Sequence, residues 1–230
     1  MAKQRTRGNR KRLLGVRFFL PKQGEDVMES TSNQNAGKAD TAQKEWANPT
    51  PAGLVALAAA CMCFFALLTG RVSASAMPLI GCWLLGGFVI QLVVALLDLK
   101  GGNHAGGNTF LFFSAFFMLV SGLEMLLKYK ALQSGAPLDG RIDGFVWTVL
   151  TIVVWLWTPA FFTKFSLLSV IVILLDVALP FIALVDLGIL AKSYAHIPAW
   201  ALLAAGAVAV YLCAAIVVNT AFKKTVYPLP

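Results

Sequence analysis

Charge is scarce in this sequence. Asp, Glu, Lys and Arg together make up 13% of its 230 residues, about half the ~25% of an ordinary soluble domain. Histidine occurs twice and cysteine four times, and Cys61, Cys63, Cys82 and Cys213 all fall inside apolar runs. A metal site of the Cys-x₂-Cys type needs paired thiolates and a polar second shell. This pattern supplies neither, so the cysteines read as small packing residues. Phosphate-loop, zinc-protease and Ser/Lys or Ser/His/Asp nucleophile patterns are missing as well. An enzyme has no support here, and no cofactor or metal is expected. Long loops are lacking too: the longest connections between apolar runs, Gly101 to Asn108 and Lys128 to Gly144, are too short to fold alone.

What the sequence does have is length in its apolar runs. Six stretches, roughly Ala52–Thr69, Met77–Leu97, Thr109–Leu127, Phe145–Phe162, Leu167–Leu190 and Pro198–Val218, are each long enough to cross a bilayer. About 18 apolar residues suffice, because the hydrocarbon core is ~30 Å thick and a helix rises ~1.5 Å per residue. Mean hydropathy is +0.74 and 58% of the residues are hydrophobic. Backbone groups in lipid must be satisfied within the protein, and the runs lack the alternation of a barrel, so the spans are expected to be helices. The sequence predicts an all-α integral membrane protein, a six-helix bundle over residues 48–230 behind a disordered basic tail over 1–47.

The net charge of +8 does not point to nucleic acid. Ten of the nineteen basic residues precede the first span, eight of them within residues 1–24, which hold no acid. Six spans put the tail, Lys100, Lys164, Lys223 and Lys224 on one side, against Arg71, Lys128, Lys130, Arg141 and Lys192 on the other. The excess of positive charge places both termini in the cytoplasm. The tail is too polar to bury a core and reads as a cytoplasmic segment near anionic headgroups. Leu13, Leu14, Val16, Phe18, Phe19 and Leu20 among its basic residues also suit an organelle transit peptide. The expected location is therefore the cell membrane, with an organelle membrane as the alternative.

The first span opens with Asn48-Pro49-Thr50-Pro51-Ala52-Gly53-Leu54. Asn is a good helix cap, and proline is tolerated in a first turn, where its missing N–H has no intrahelical partner. A helix start also presents free N–H groups and partial positive charge, which suit a carboxylate. Further along, Gln91 and Asp98 lie seven residues apart, ~20° around an ideal helix, with Gly87 on the same face. Asp98 reads either as an interfacial acid, paired with Lys100 or solvated, or as a proton-sensitive group at the mouth of a path. Asn108 is expected to cap the third span after a glycine-rich turn, so two capped starts on one side could make an electropositive vestibule.

Asn-Pro-x-Pro-x-Gly-Leu at the start of the first of six spans resembles the signature of the acetate/succinate–proton transporter family. The second signature of that family is matched in register by Gln91, Asp98, Gly102, Asn103, Phe110 and Phe116, and its last span and tail by Trp200, Gly206, Tyr211, Asn219, Thr225 and Pro228. Asp98 is shorter than the usual acid, and Ala52 stands where Leu is usual. The resemblance implies a homo-oligomer, typically a hexamer, with a path through each protomer. It also implies an apolar constriction, formed here by Leu57, Phe113 and Val172 or a neighbour, in place of the family's Phe, Tyr and Leu. Its one hydroxyl is thereby lost.

With Phe113 facing a path, α-helical spacing puts Phe117, Val120 and Glu124 on the same stripe. Glu124 is a second proton-sensitive candidate, or an acid snorkelling beside Lys128. Asp176 is the costliest charge, near the middle of the fifth span, where a charge costs at least ~2.5 kcal/mol. Pro180, four residues on, deprives the Asp176 carbonyl of its helical donor. Asp176 reads as a proton-holding polar site, or as a protonated acid bonded to a neighbouring helix. Asp186 reads as interfacial, and Trp83, Trp147, Trp157 and Trp200 as interfacial anchors.

The expected function is transport of acetate or another small carboxylate through Asn48, Pro49, Pro51, Gly53, Leu57, Gln91, Asp98, Asn103, Phe113 and Glu124. It would be proton-coupled or channel-like, with substrate, proton, bilayer and further copies of the chain as partners. The alternatives are a channel for neutral solutes (ammonia, urea, water) and a non-transporting accessory subunit of a membrane complex.

Overall fold

Proline and glycine mark many of the helix ends in this computed structural model, which describes residues 46–163 and 166–230. The basic tail before Trp46 and Lys164 lie outside the described residues. Helix α1 runs Thr50–Leu68, with Pro51 in its first turn. Helix α2 is Met77–Lys100, again with proline at its start. The third span is continuous but changes its winding: α3 (His104–Phe112), a π-helical segment (Phe113–Val120) and α4 (Ser121–Ser134). Gly135, at φ +67°, closes it. Helix α5 (Arg141–Trp157) continues as a 3₁₀ turn over Thr158–Phe162. Helix α6 (Leu167–Asp186) carries Pro180 inside, and α7 is His196–Phe222. These make six helical spans long and apolar enough to cross a membrane, and no strand occurs among the described residues. The protein is an integral membrane protein.

The third span is longer than the sequence predicts, because the glycine-rich stretch after Gly102 is already helix. Asn103, not Asn108, is the cap: its Oδ1 accepts from the Gly106 N–H at 3.0 Å. Asn108 sits inside the helix and donates to the His104 carbonyl at 2.8 Å. A Cβ on Gly107 would come within 2.9 Å of the Leu99 backbone nitrogen, so glycine here allows α3 to fold back tightly on α2.

The helices close into a ring. The third span packs on α2, α2 on α1, α1 on α7, α7 on α6 and α6 on α5, the α1–α7 interface being the most extensive. Large side chains complete the circuit between α5 and the third span: Phe117 meets Trp147 at 6.3 Å between ring centroids, and Phe112 meets Trp157 at 6.0 Å. Small residues govern the close seams, as expected where dispersion rather than the hydrophobic effect joins helices in lipid. A Cβ on Gly206 would lie 3.1 Å from that of Cys61, and one on Gly81 would lie 2.8 Å from the Gly122 carbonyl. All four cysteines are free thiols. Trp147 is buried in the core, not an interfacial anchor, because its ring fills the wide α5 seam; Trp83 is 69% exposed.

Beyond α7 the chain doubles back along it. Asn219 Oδ1 accepts from the Val226 and Tyr227 N–H groups at 2.7 and 2.9 Å, while its Nδ2 donates to the Tyr227 carbonyl at 2.7 Å. Tyr211 fastens the end, donating to the Pro228 carbonyl at 2.7 Å.

Candidate functional site

The two helix starts nearest the termini are furnished with internal partners. Asn48 Oδ1 accepts from the Thr50 N–H at 3.0 Å, Pro51 has no N–H, and the Ala52 N–H goes to the Pro49 carbonyl at 3.1 Å. In α3, His104, Gly106 and Gly107, three of the first four N–H groups, bond to Gly102 and Asn103. The predicted electropositive vestibule is therefore largely self-satisfied.

Asp98 explains part of this. It is 6% exposed and does not pair with Lys100; its Oδ2 accepts from Asn103 Nδ2 at 3.2 Å. A Cβ on Gly106 would meet the same oxygen at 2.9 Å, so the carboxylate lies against the first turn of α3. That is where an anion is stabilised by a helix dipole. Lys100 instead lies over the Trp46 ring, 5.5 Å from its centroid.

Gln91 shares the buried face of α2 with Gly87, Val94 and Asp98. It is fully enclosed, and its Nε2 donates to the Gly53 carbonyl on α1 at 3.3 Å. Its Oε1 and the Thr109 hydroxyl are buried without a partner. Gly53 is required by Phe110, whose ring would lie 2.5 Å from any Cβ placed there.

At mid-bundle, Phe113 and Val172 face one cavity together with Thr109, Phe112, Val154, Trp157, Phe161 and Leu175. It offers about 10 Å³ to the centre of a water molecule, around the least volume that holds one water. Leu57 is buried in the same core but is not a wall of this cavity. Phe113 stacks edge-on against Phe112 at 5.0 Å and Phe117 at 5.6 Å, and Phe117 reaches Phe64 of α1 at 5.0 Å.

The predicted stripe through Val120 does not form. Phe113 to Val120 is π-helical, with i→i+5 bonds. Each turn takes up more residues, so the buried side reads Phe113, Phe117, Ser121, Met125 at intervals of four, and Val120 points outward, 41% exposed. Glu124 lies beside this line, half-buried, and accepts from Lys128 Nζ at 3.1 Å. The same Nζ donates to Asp143 of α5 at 2.6 Å. Sequence reasoning missed Asp143; its position near a span end, fifteen residues from Lys128, carries no signal of that pairing. Outside the spans, Arg141 grips Asp139 with two side-chain hydrogen bonds of 2.9 and 2.7 Å, which hold that carboxyl down at about 2.

Asp176 turns toward α5. Its Oδ2 lies 2.7 Å from Thr158 Oγ1, and its backbone carbonyl, left free by Pro180, accepts from Trp155 Nε1 at 3.1 Å. Val172 and Leu175 face the cavity, whereas Asp176 lies behind its wall.

The fold and these features define a six-helix membrane bundle closed about a small, largely apolar aromatic centre. No family model matches the chain, and no curated protein matches it either. Among solved structures it is similar to the bacterial acetate channel SatP, with a TM-score of 0.65 and 21% identity, over 80% of this chain and 99% of that one. The likeness establishes the fold.

Proposed function

We propose that this protein passes acetate or another small carboxylic acid across the membrane, through the centre of its six-helix ring, together with a proton. One observation carries the reading: the enclosed aromatic cavity at Phe113, in a fold shared with a bacterial acetate channel. An ionised carboxylate meeting that cavity would lose its water and gain at most the single hydroxyl of Thr109 as a donor, a cost that protonation removes. The helix starts at Asn48 and Asn103 use their N–H groups internally. The charge is therefore handled by protonation, not by a standing anion seat. Asp98 at the termini end and Glu124 at the opposite end flank the dry region and are the groups to which the proton step is assigned. Gln91 Oε1 and Thr109 Oγ1, both without partners, supply hydrogen-bonding capacity along the way. Assembly as a hexamer belongs to the same proposal and rests on the sequence resemblance.

A second reading is favoured by one feature. Phe113 brings no hydroxyl to the cavity, which suits a neutral solute such as ammonia or urea. The test is uptake of labelled acetate into proteoliposomes under an inward proton gradient, for wild type and Asp98→Asn. Saturable, gradient-dependent uptake supports the acid path. Gradient-independent urea or ammonia flux with no acetate uptake supports the neutral channel. Folded protein that moves neither points to an accessory subunit.

A further inference from the structure

Thr158 faces two acceptors with one proton. Its Oγ1 lies 2.9 Å from the Val154 carbonyl and 2.7 Å from Asp176 Oδ2. A hydroxyl has a single O–H, so it cannot donate to both. The two threonines of α5, just before it in the chain, show where such a proton goes: Thr148 donates to the Gly144 carbonyl at 2.8 Å and Thr151 to that of Trp147 at 2.7 Å. Each bonds back one turn, as helical threonine commonly does. With Thr158 doing the same, its oxygen turns a lone pair toward Asp176, and the hydrogen in that contact must come from the acid.

We propose that Asp176 holds a proton in the folded protein, forming a relay from Asp176 Oδ2–H to Thr158 Oγ1–H to the Val154 carbonyl. This is a proton-binding site inside the membrane, independent of what crosses the ring. Ionised, Asp176 would either pull Thr158 off Val154 or face its oxygen without a hydrogen between them. It would also keep Oδ1, which is buried and without a partner, as a bare anionic oxygen with no donor.

No opposing charge compensates among the described residues. On α6 the only other ionisable group is Asp186, ten residues away or ~15 Å along the helix. On α5, Arg141 and Asp143 lie at least fifteen residues from Thr158, ~22 Å. His196 on α7 and Lys223 and Lys224 beyond it sit at the two ends of that helix; on the third span His104 is the first residue, and the cations Lys128 and Lys130 lie in the last two turns, Lys128 being engaged by Glu124 and Asp143.

The consequence is positional. The relay and the Trp155–Asp176 bond both tie α5 to α6 at Val154 to Thr158, and Val154, Trp157 and Leu175 are walls of the dry cavity. Asp176 is thus a positioning residue: its proton holds the α5–α6 wall shut from behind.

The experiment is infrared difference spectroscopy of the full-length protein in liposomes, for wild type, Asp176→Asn and Thr158→Val. Wild type at neutral pH is expected to show a protonated-carboxyl C=O band that D176N abolishes. Thr158→Val is expected to shift that band without removing it, because the acid loses its acceptor. An amide can donate to Thr158 in the same place, so D176N is expected to melt close to wild type. The proposal is overturned if D176N removes no protonated-carboxyl band. A wild-type band that vanishes as pH rises through the ordinary carboxyl range, ~4 to 5, overturns it equally. Should D176N not fold, the mimicry itself has failed, and a band unmoved in T158V would confirm that failure. None of these readouts depends on acetate transport.

Discussion

Lys128 donates to Asp143 at 2.6 Å across the seam between the third span and α5. The same ammonium holds Glu124 at 3.1 Å, so one cation serves two acids where the ring is joined by bulky rings instead of close backbone contact. Removing it strands two half-buried carboxylates. Lys128→Met is expected to cost ~1–3 kcal/mol, below the full price of breaking a buried pair because both partners retain some solvent. Thermal unfolding in detergent measures it, and Asp143→Asn added to the variant should recover part of the loss. An unchanged melting temperature would show that the seam is held by the aromatics alone.

Two glycines separate packing from propensity. A Cβ on Gly144 would fall 2.5 Å from the Leu187 backbone nitrogen, which cannot step aside, whereas one on Gly86 meets nothing within 4 Å. Gly144→Ala should therefore destabilise by ~1–3 kcal/mol through overpacking. Gly86→Ala should be neutral, or gain up to ~1 kcal/mol from helix propensity. Comparing the two melting curves under one condition tests the α5–α6 contact directly.

The proposed path makes a pair of adjacent-face substitutions informative. Phe113 is 3% exposed and walls the cavity, while Phe116, three residues on, is 40% exposed on the outside. Phe113→Ala should change uptake and admit longer carboxylates; Phe116→Ala should leave both as in wild type. Phe113→Ala also leaves a cavity costing ~3–5 kcal/mol, so its rates are to be compared only on protein shown to be folded. If both variants behave alike, the solute does not pass Phe113.

Asn219 anchors the returning C-terminal segment through three hydrogen bonds of 2.7, 2.7 and 2.9 Å. Asn219→Ala removes them together and should release the segment at Lys223, which sits at φ +52°, a strained angle for a side-chain-bearing residue. Limited trypsin digestion should then cut at Lys223 or Lys224 several times faster, with the six-helix core intact. Equal cutting rates would mean that Tyr211 alone retains the tail.

How far the sequence reaches depends on how local each cause is. The six spans follow from apolar length, and the shared buried face of Gly87, Gln91 and Asp98 follows from helical period. The freed carbonyl of Asp176 follows from a proline four residues on. Its acceptance of the Trp155 indole does not, since that needs the α5–α6 packing. The π segment has no composition of its own: nothing in Phe113–Val120 separates it from α-helix, so the stripe drawn through Val120 and Glu124 went astray by the residues the wider turns absorb. The start of α3 was hidden because glycine-rich sequence reads as turn until close packing against Leu99 requires it inside a helix. The Lys128–Asp143 contact joins separate helices, and spacing is silent about that.

The small size of the central cavity also bears on the membrane around it. About 10 Å³ of free space cannot hold a file of waters, and without such a file protons have no wire to hop along. On the proposed path, such a centre would keep the resting bundle from draining the membrane voltage, which is worth ~2.3 kcal/mol per charge at 100 mV, and an acid would cross it only together with its proton.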